Sequence, residues 1–148
     1  MGKTEGFFEL RTPRQLLDKL EADFVRLQSS APISAEAQYA AFDFFVTAEH
    51  LCDWVEQAGG TDRATLPKYD DGDLVSHVAN GAKHFRVDPK RHSTVRDTQA
   101  YSGAFDSAAF QRSAFDVDRL IIEREDGRVE AVLDVAARVL EHWKKEVR

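Results

Sequence analysis

Apolar positions recur at helical spacing in three stretches of the first half of the chain, and each stretch predicts an amphipathic helix. The first helix is predicted over about 12–29, because Thr12, Pro13 and Gln15 combine a capping box with proline at the first helical position. The second helix is predicted over about 34–57 and is apolar over most of its circumference. Such a helix is expected at the centre of a bundle.

The third helix is predicted to begin at Asp71 or Asp73 and to end at Asp88-Pro89. Its buried stripe is expected to contain four apolar residues at helical spacing, Val75, Val78, Ala82 and Phe85. Gly81 lies inside this helix, where glycine costs about 1 kcal/mol relative to alanine. We therefore expect another helix or a ligand to approach the backbone closely at Gly81.

The hydrophobic period changes after the third helix and indicates a β insertion. Residues 94–100 alternate loosely, and 115–124 are typical of a strand. The Asp-Gly pair within 125–128 predicts a tight turn into a partner strand at 129–132. A last amphipathic helix is predicted over about 133–147.

The order of elements predicts a fold that is mainly α with a small β insertion. We expect a four-helix bundle plus an antiparallel hairpin or meander between helices 3 and 4. The length of 148 residues and the 43% of hydrophobic residues fit a single domain over 1–148.

Composition also bears on the cellular setting. No stretch approaches the roughly 18 apolar residues of a membrane span, and the first residues lack the apolar core of a secretory signal. The single cysteine, Cys52, is expected as a small core side chain in a reducing compartment. We therefore expect a cytoplasmic protein without membrane association.

Positive charge is concentrated in one segment of an otherwise acidic chain. The net charge of −6 argues against a protein that binds nucleic acid over its whole surface. Segment 83–96 nevertheless contains one carboxylate, Asp88, among five cations, Lys83, Arg86, Lys90, Arg91 and Arg96. We predict that these five residues bind phosphate or another anion.

His84 and Asn80 are the candidate catalytic residues. They are four positions apart and therefore lie on the same side of the predicted helix. The amide could fix the tautomer of the imidazole, and histidine is the usual general acid or base near neutral pH. The alternative, that both side chains bond to a neighbouring helix or to the following loop, stays open.

The segment from Asn80 to His84 resembles the motif helix of the HEPN superfamily, small four-helix domains that include dimeric ribonuclease toxins and defence proteins of bacteria. The resemblance implies that Asn80 occupies the polar position and His84 the histidine of a dimer cleft that cuts RNA without a metal. The motif arginine corresponds to Ala79, and the β insertion is a second departure. Stretches 41–54 and 79–85 also resemble paired segments of uncharacterised bacterial proteins, which implies no activity.

Metal binding is an alternative use of four polar residues that helices two and three could bring together, His50, Asp53, Asp73 and His77. The chain contains none of the specific metal signals, such as His-Glu-x-x-His, Glu-x-x-His or a pair of cysteines. We therefore predict no metal site and no cofactor.

Two functions follow from these observations. The first is an anion-binding or protein-interaction module without catalysis, acting in a bacterial defence or phage-related system. The second is a diverged HEPN-like, metal-independent ribonuclease that uses His84, with Lys83 or Arg86 replacing the missing arginine. A homodimer is expected from the resemblance and because an exposed Trp54 or Trp143 would need cover, whereas RNA is a partner only in the second case.

Overall fold

Four helices and a three-stranded sheet make up the described part of this computed structural model, which covers residues 5–59, 71–102 and 118–147. The elements in chain order are α1 (Pro13–Ser29), α2 (Ala35–Gly59), α3 (Gly72–His84), β1 (Val95–Tyr101), β2 (Arg119–Arg124), β3 (Val129–Ala131) and α4 (Val132–Glu146). The prediction of a mainly α fold with an antiparallel β insertion between helices 3 and 4 is confirmed. The predicted start of the second strand at 115–117 lies outside the described residues, as does most of the segment between the second and third predicted helices, which the Gly, Asp and Pro content of 59–73 predicts to be a loop.

Local sequence signals explain where α1 and α2 begin. The backbone N–H of Gln15 donates to Oγ1 of Thr12 over 3.2 Å, and Oε1 of Gln15 accepts from the backbone N–H of Thr12 over 3.1 Å. This reciprocal pair is the predicted capping box, and it satisfies two backbone donors that the first helical turn leaves without partners. Ser34 caps α2 in a similar way by accepting from the backbone N–H of Ala37 over 3.1 Å.

The core lies where α2 packs against the other three helices and where α4 packs against β2. It contains apolar side chains from all four helices and from β2, and the most deeply buried are Leu20, Phe44, Leu51, Leu74, Val75, Ile122, Val135 and Val139. The buried face of α2 is narrower than its composition predicts, because Phe42 is 52% exposed and Tyr39 is 67% exposed. The centre of α2 is therefore buried, while one side of its first half faces solvent.

The expected homodimer depended partly on an exposed Trp54 or Trp143, and neither tryptophan is exposed. Trp143 is only 2% exposed, and Trp54 is partly buried against the core. This argument for a homodimer is therefore wrong, because both rings find cover within a single chain. The homodimer itself stays a prediction.

The strand order β1-β2-β3 places β2 in the middle of the sheet. Both pairings are antiparallel, with Thr98 opposite Ile122 and Ile122 opposite Glu130. The Asp-Gly turn forms as predicted, with Gly127 at a φ of 90°, a conformation that favours glycine. This register places Ile122 in the core and leaves β1 as an outer strand of the described sheet.

A buried ionic cluster joins the start of α3 to the sheet and to α4. Arg124 and Arg138 both donate to Oδ1 of Asp71, over 2.7 and 2.9 Å, and both also bind the Glu130 carboxylate. Asp71 and Arg124 are each only 5% exposed, so their charges need these partners. The cluster fixes the orientation of α3, whose other end forms the candidate site.

Among the described residues, no helix combines the length and the apolar character that a membrane crossing requires.

Candidate functional site

Helix α3 ends four residues before the predicted Asp88, because Phe85 adopts a left-handed backbone conformation. Its φ is 65° and its ψ is −47°, and the N–H of Arg86 donates to the carbonyl of His84 over 2.7 Å. This is a γ-turn of the rare, strained kind, and such a conformation costs on the order of 1–3 kcal/mol at a residue with a side chain. The predicted helix end is therefore wrong. Strain of this kind is concentrated at ligand-binding sites in proteins.

The side chain of Phe85 is also placed differently from the prediction. Helical spacing assigned it to the buried stripe with Val75, yet it is 90% exposed, whereas Val75 is 1% exposed. The reason is the γ-turn, which takes Phe85 out of the helical register one residue after the helix ends. A single exposed aromatic ring is common on protein surfaces, so its importance here depends on the apolar side chains that lie next to it.

His84 and Asn80 do not form the predicted amide–imidazole pair. His84 is exposed and Asn80 is half-buried, and no hydrogen bond joins the two side chains in the part of the chain that the structure describes. The motif position that holds arginine in HEPN domains is occupied by Ala79, which is 6% exposed. An imidazole without an orienting partner can still accept or donate a proton, but its tautomer is not fixed by the protein.

All five predicted anion-binding residues are exposed, and four of them lie at or just after the end of α3, namely Lys83, Arg86, Lys90 and Arg91. A turn after α3 arranges the last two, because Asp88 accepts from the backbone N–H of Lys90 through its carboxylate and from that of Arg91 through its carbonyl oxygen, over 3.0 and 3.1 Å. The side chains of this turn thus project from a defined backbone. We call Lys83, Arg86, Lys90 and Arg91 the basic rim.

Arg96 is not included in the basic rim, because its guanidinium is already bonded to residues in and beside the sheet. Its guanidinium donates to the Glu123 carboxylate over 2.9 Å and to the Glu125 carbonyl oxygen over 2.8 Å. Its charge is therefore compensated by acidic residues of β2 and of the following turn. The sequence placed Arg96 near the other cations, but the antiparallel pairing with β2 decides its partners.

His77 of α3, which the sequence suggested only as a metal candidate, pairs with His92 of the following loop. Nδ1 of His77 accepts from the backbone N–H of Val95 over 3.3 Å, which ties α3 to the start of β1. The ring of His92 packs against His77 with a centroid separation of 5.9 Å. Burial lowers the pKa of His77 below its ordinary value of 6.5, the charge of His92 lowers it further, and Glu125 opposes both effects. No local spacing links residues 77 and 92, so only the return of the chain after α3 reveals the pair.

An open groove of about 480 Å³ lies between α2, α3 and the sheet. Apolar side chains dominate its lining, which includes Phe42, Phe45, Val78, Phe85, Leu120, Ile122 and Val132. His77, Arg96 and Asp97 add polar groups. The volume falls within the range of about 300–1,000 Å³ that is typical of ligand sites. The γ-turn places Phe85 at this groove, and the basic rim precedes and follows it in the chain.

Gly81 also lines the groove, and a close approach occurs there as expected. A Cβ at this position would lie 3.2 Å from Cγ2 of Val87. The approaching group is neither another helix nor a ligand, but a side chain of the loop that follows α3. The glycine therefore lets the chain fold back over α3 directly after the γ-turn.

The residues considered for a metal do not converge. His50, Asp53 and Asp73 are all exposed. Within the described ranges no three His, Cys, Asp or Glu side chains are placed to hold an ion together. His77 is unsuited for another reason, since accepting at Nδ1 puts the proton of its neutral ring on Nε2, the nitrogen that a metal would need.

Comparisons with family models, with curated proteins and with solved structures gave no match to this chain. The resemblance to HEPN domains therefore depends on the motif residues alone and stays a prediction.

Proposed function

We propose that this protein is an interaction module that binds an acidic segment of a partner protein in the groove between α2, α3 and β1. The observation that carries the proposal is the exposed Phe85, held by a strained turn at an apolar groove, with the exposed cations of the basic rim before and after it in the chain. Exposed aromatic rings beside arginine are the side chains that most often dominate binding energy at protein interfaces. The groove would receive an apolar side chain of the partner.

Charge favours an acidic partner. Segment 83–91 carries four cations against one carboxylate, in a chain whose net charge is −6. Complementary charge at the edge of an interface accelerates association and selects among partners. A bacterial defence or phage-related setting is the biological context in which we propose that this module works.

Selection of peptides from a random display library tests the proposal directly, because the library samples acidic, basic and uncharged segments alike. We expect enriched sequences to combine acidic residues with a bulky apolar residue. Enrichment of basic or charge-free sequences, or failure to enrich any sequence, would contradict the proposal.

Variants of the groove then locate the binding site. Phe85→Ala is expected to weaken the binding of the enriched peptides by at least about thirtyfold, the scale of an interface hot spot. Phe8→Ala is the matched control, because Phe8 is 81% exposed, has a φ of 53° and does not line the groove. Equal effects of the two variants would show that the peptides bind elsewhere.

Charge reversal tests whether the basic rim contributes to peptide binding, and a competing RNA tests whether the partner is a protein. Lys83→Glu with Arg86→Glu should abolish peptide binding, whereas Arg14→Glu with Arg128→Glu, at two exposed arginines outside the groove, should leave it nearly unchanged. Single-stranded RNA of the same net charge serves as the competing probe. Tighter binding of that RNA than of the selected peptides would overturn the assignment of a protein partner.

A further inference from the structure

Three groups meet where α3 passes the start of β1: the ring of His77, the backbone N–H of Val95 and the ring of His92. Val95 donates to Nδ1 of His77, and His92 packs against the same ring. His77 and Val95 both line the groove, so this hydrogen bond joins its α3 wall to its β1 wall. The ionic cluster around Asp71 fixes only the far end of α3.

We propose that His77 is a pH-sensitive latch, which holds the two walls of the groove together while its ring is neutral and releases them when the ring is protonated. The chemical reason is that a neutral imidazole offers one acceptor nitrogen, whereas the imidazolium has two N–H donors and no acceptor. The N–H of Val95 then faces another N–H, and the hydrogen bond is replaced by repulsion. The inference depends on the proposed function only for its consequence, the loss of partner binding.

Charged and titratable groups surround the latch on every side. His92 comes from the loop after α3, and Glu125 comes from the turn between β2 and β3. A positive charge on His92 opposes a second positive charge on His77. Glu125 attracts an imidazolium, but its carboxylate also lies 3.9 Å from the guanidinium of Arg96, which weakens that attraction.

Two carboxylates lie on the helices themselves. Asp73 precedes His77 by one turn of α3 and is exposed, so solvent screens it. Glu49 of α2 accepts a hydrogen bond from the hydroxyl of Ser76 over 2.8 Å, next to His77 in the chain. Neither carboxylate replaces the lost acceptor, because the group that needs one is the backbone N–H of Val95.

The direction of the pH effect follows from the shift in pKa. Burial first, and then His92, lower the pKa of His77 in the folded protein. The folded state therefore favours the neutral ring, and the stabilisation is fully present above the ordinary pKa of 6.5. It is lost as the pH falls from there through the lowered pKa of the folded protein.

Amide hydrogen exchange of Val95, measured by NMR in the full chain, tests the latch directly. We expect its protection factor to fall by about fivefold or more, the scale of one lost hydrogen bond, as the pH is lowered from about 7.5 through the lowered pKa of His77. His77→Asn supplies a side-chain oxygen near the position of Nδ1 that does not titrate, and its protection should stay constant. The matched control is His84→Asn on the same helix, which should retain the native pH dependence.

The outcomes separate the latch from the proposed function. A Val95 protection factor that does not change with pH in the native protein would overturn the latch, whether or not peptides bind. If protection falls but no selected peptide binds at any pH, the latch holds and the proposed function fails. If the latch and the proposed function both hold, acidification should weaken peptide binding to the native protein more than it weakens peptide binding to His77→Asn. The expected difference is about fivefold, again the scale of one hydrogen bond.

A second variant guards against a failure of His77→Asn to fold. His92→Gln removes the neighbouring charge but keeps the Val95 hydrogen bond, so the pKa of His77 should rise and the fall in protection should begin at a higher pH. Unchanged pH dependence in His92→Gln would show that the two rings are not coupled and would remove His92 from the latch.

Discussion

At the scale of single residues, the γ-turn at Phe85 decides which side chains at the end of α3 are exposed, and helical spacing does not. Phe85 leaves the helix with a positive φ and becomes one of the most exposed apolar side chains of the described structure. His84, one residue earlier, is exposed without a hydrogen bond to Asn80. The local geometry therefore exposes both side chains and does not form the amide–imidazole pair that the helical spacing predicted.

His84 is the residue at which the ribonuclease hypothesis can be tested against the interaction module. We expect total RNA incubated at near-neutral pH to remain intact with both the native protein and His84→Ala, because the arginine position of the motif is a buried alanine and Asn80 does not orient the imidazole. Gel electrophoresis of the RNA is the measurement. Cleavage by the native protein that His84→Ala abolishes would instead support the HEPN-like enzyme, and growth arrest on expression should then follow the same dependence.

At the scale of elements, the ionic cluster decides where α3 begins and how it is oriented. Arg124 lies in β2 and Arg138 in α4, and both bind Asp71 at the start of α3. The neighbouring α1–α2 pair has its own buried polar contact, since Lys19 donates to Asp23 over 2.7 Å and to Thr47 over 2.9 Å. Two polar contacts thus specify how the helices pack around an otherwise apolar core.

Removal of Arg124 tests the importance of the cluster for folding. Arg124→Met should lower the free energy of unfolding by about 3 kcal/mol, because the buried Asp71 and the partly buried Glu130 then have only Arg138 to compensate their charges. Urea denaturation followed by circular dichroism gives this value. Arg128→Met is the control and should change stability by less than about 0.5 kcal/mol, since the Arg128 side chain is exposed. Equal stability of Arg124→Met and the native protein would contradict a stabilising cluster.

The same cluster predicts the behaviour in acid. Burial alone would raise the pKa of Asp71, but hydrogen bonds and charge from Arg138, and then from Arg124, outweigh burial and hold the pKa below 3.8. Its stabilisation is therefore present above the ordinary value of 3.8 and is lost as the pH falls through the lowered pKa.

Asp71→Asn should consequently be less stable than the native protein at neutral pH, and the difference should shrink as the pH falls to about 2. Thermal unfolding over a series of pH values measures this difference, with Asp18→Asn as the exposed control. A difference that grows on acidification would show that Asp71 is not stabilised as a carboxylate.

At the scale of the whole molecule, the oligomeric state is the open prediction. Sedimentation velocity over a range of micromolar concentrations should reveal a species of twice the 16.7 kDa chain mass if the expected homodimer forms. The tryptophans no longer support such a dimer, but exposed Tyr39 and Phe42 on α2 provide an apolar surface for one. A single species at the mass of one chain throughout would contradict the homodimer.

Sequence patterns determined the elements and their order. The capping box at Thr12, the cap at Ser34 and the Asp-Gly turn before β3 are local signals, and each acts within four residues. Local signals are readable in a sequence because they do not depend on what else packs nearby. They predicted four helices and the antiparallel insertion correctly.

Only the tertiary structure decided which side chains line the groove. Helical periodicity continues through Phe85 in the sequence, but the chain leaves the helix there and folds back so that Val87 packs over Gly81 and His92 packs on His77. The partners of Arg96 and the tie between His77 and Val95 likewise depend on residues 18 or more positions apart. Contacts at such separations are fixed by the packing of whole elements, and no periodicity in the sequence records them.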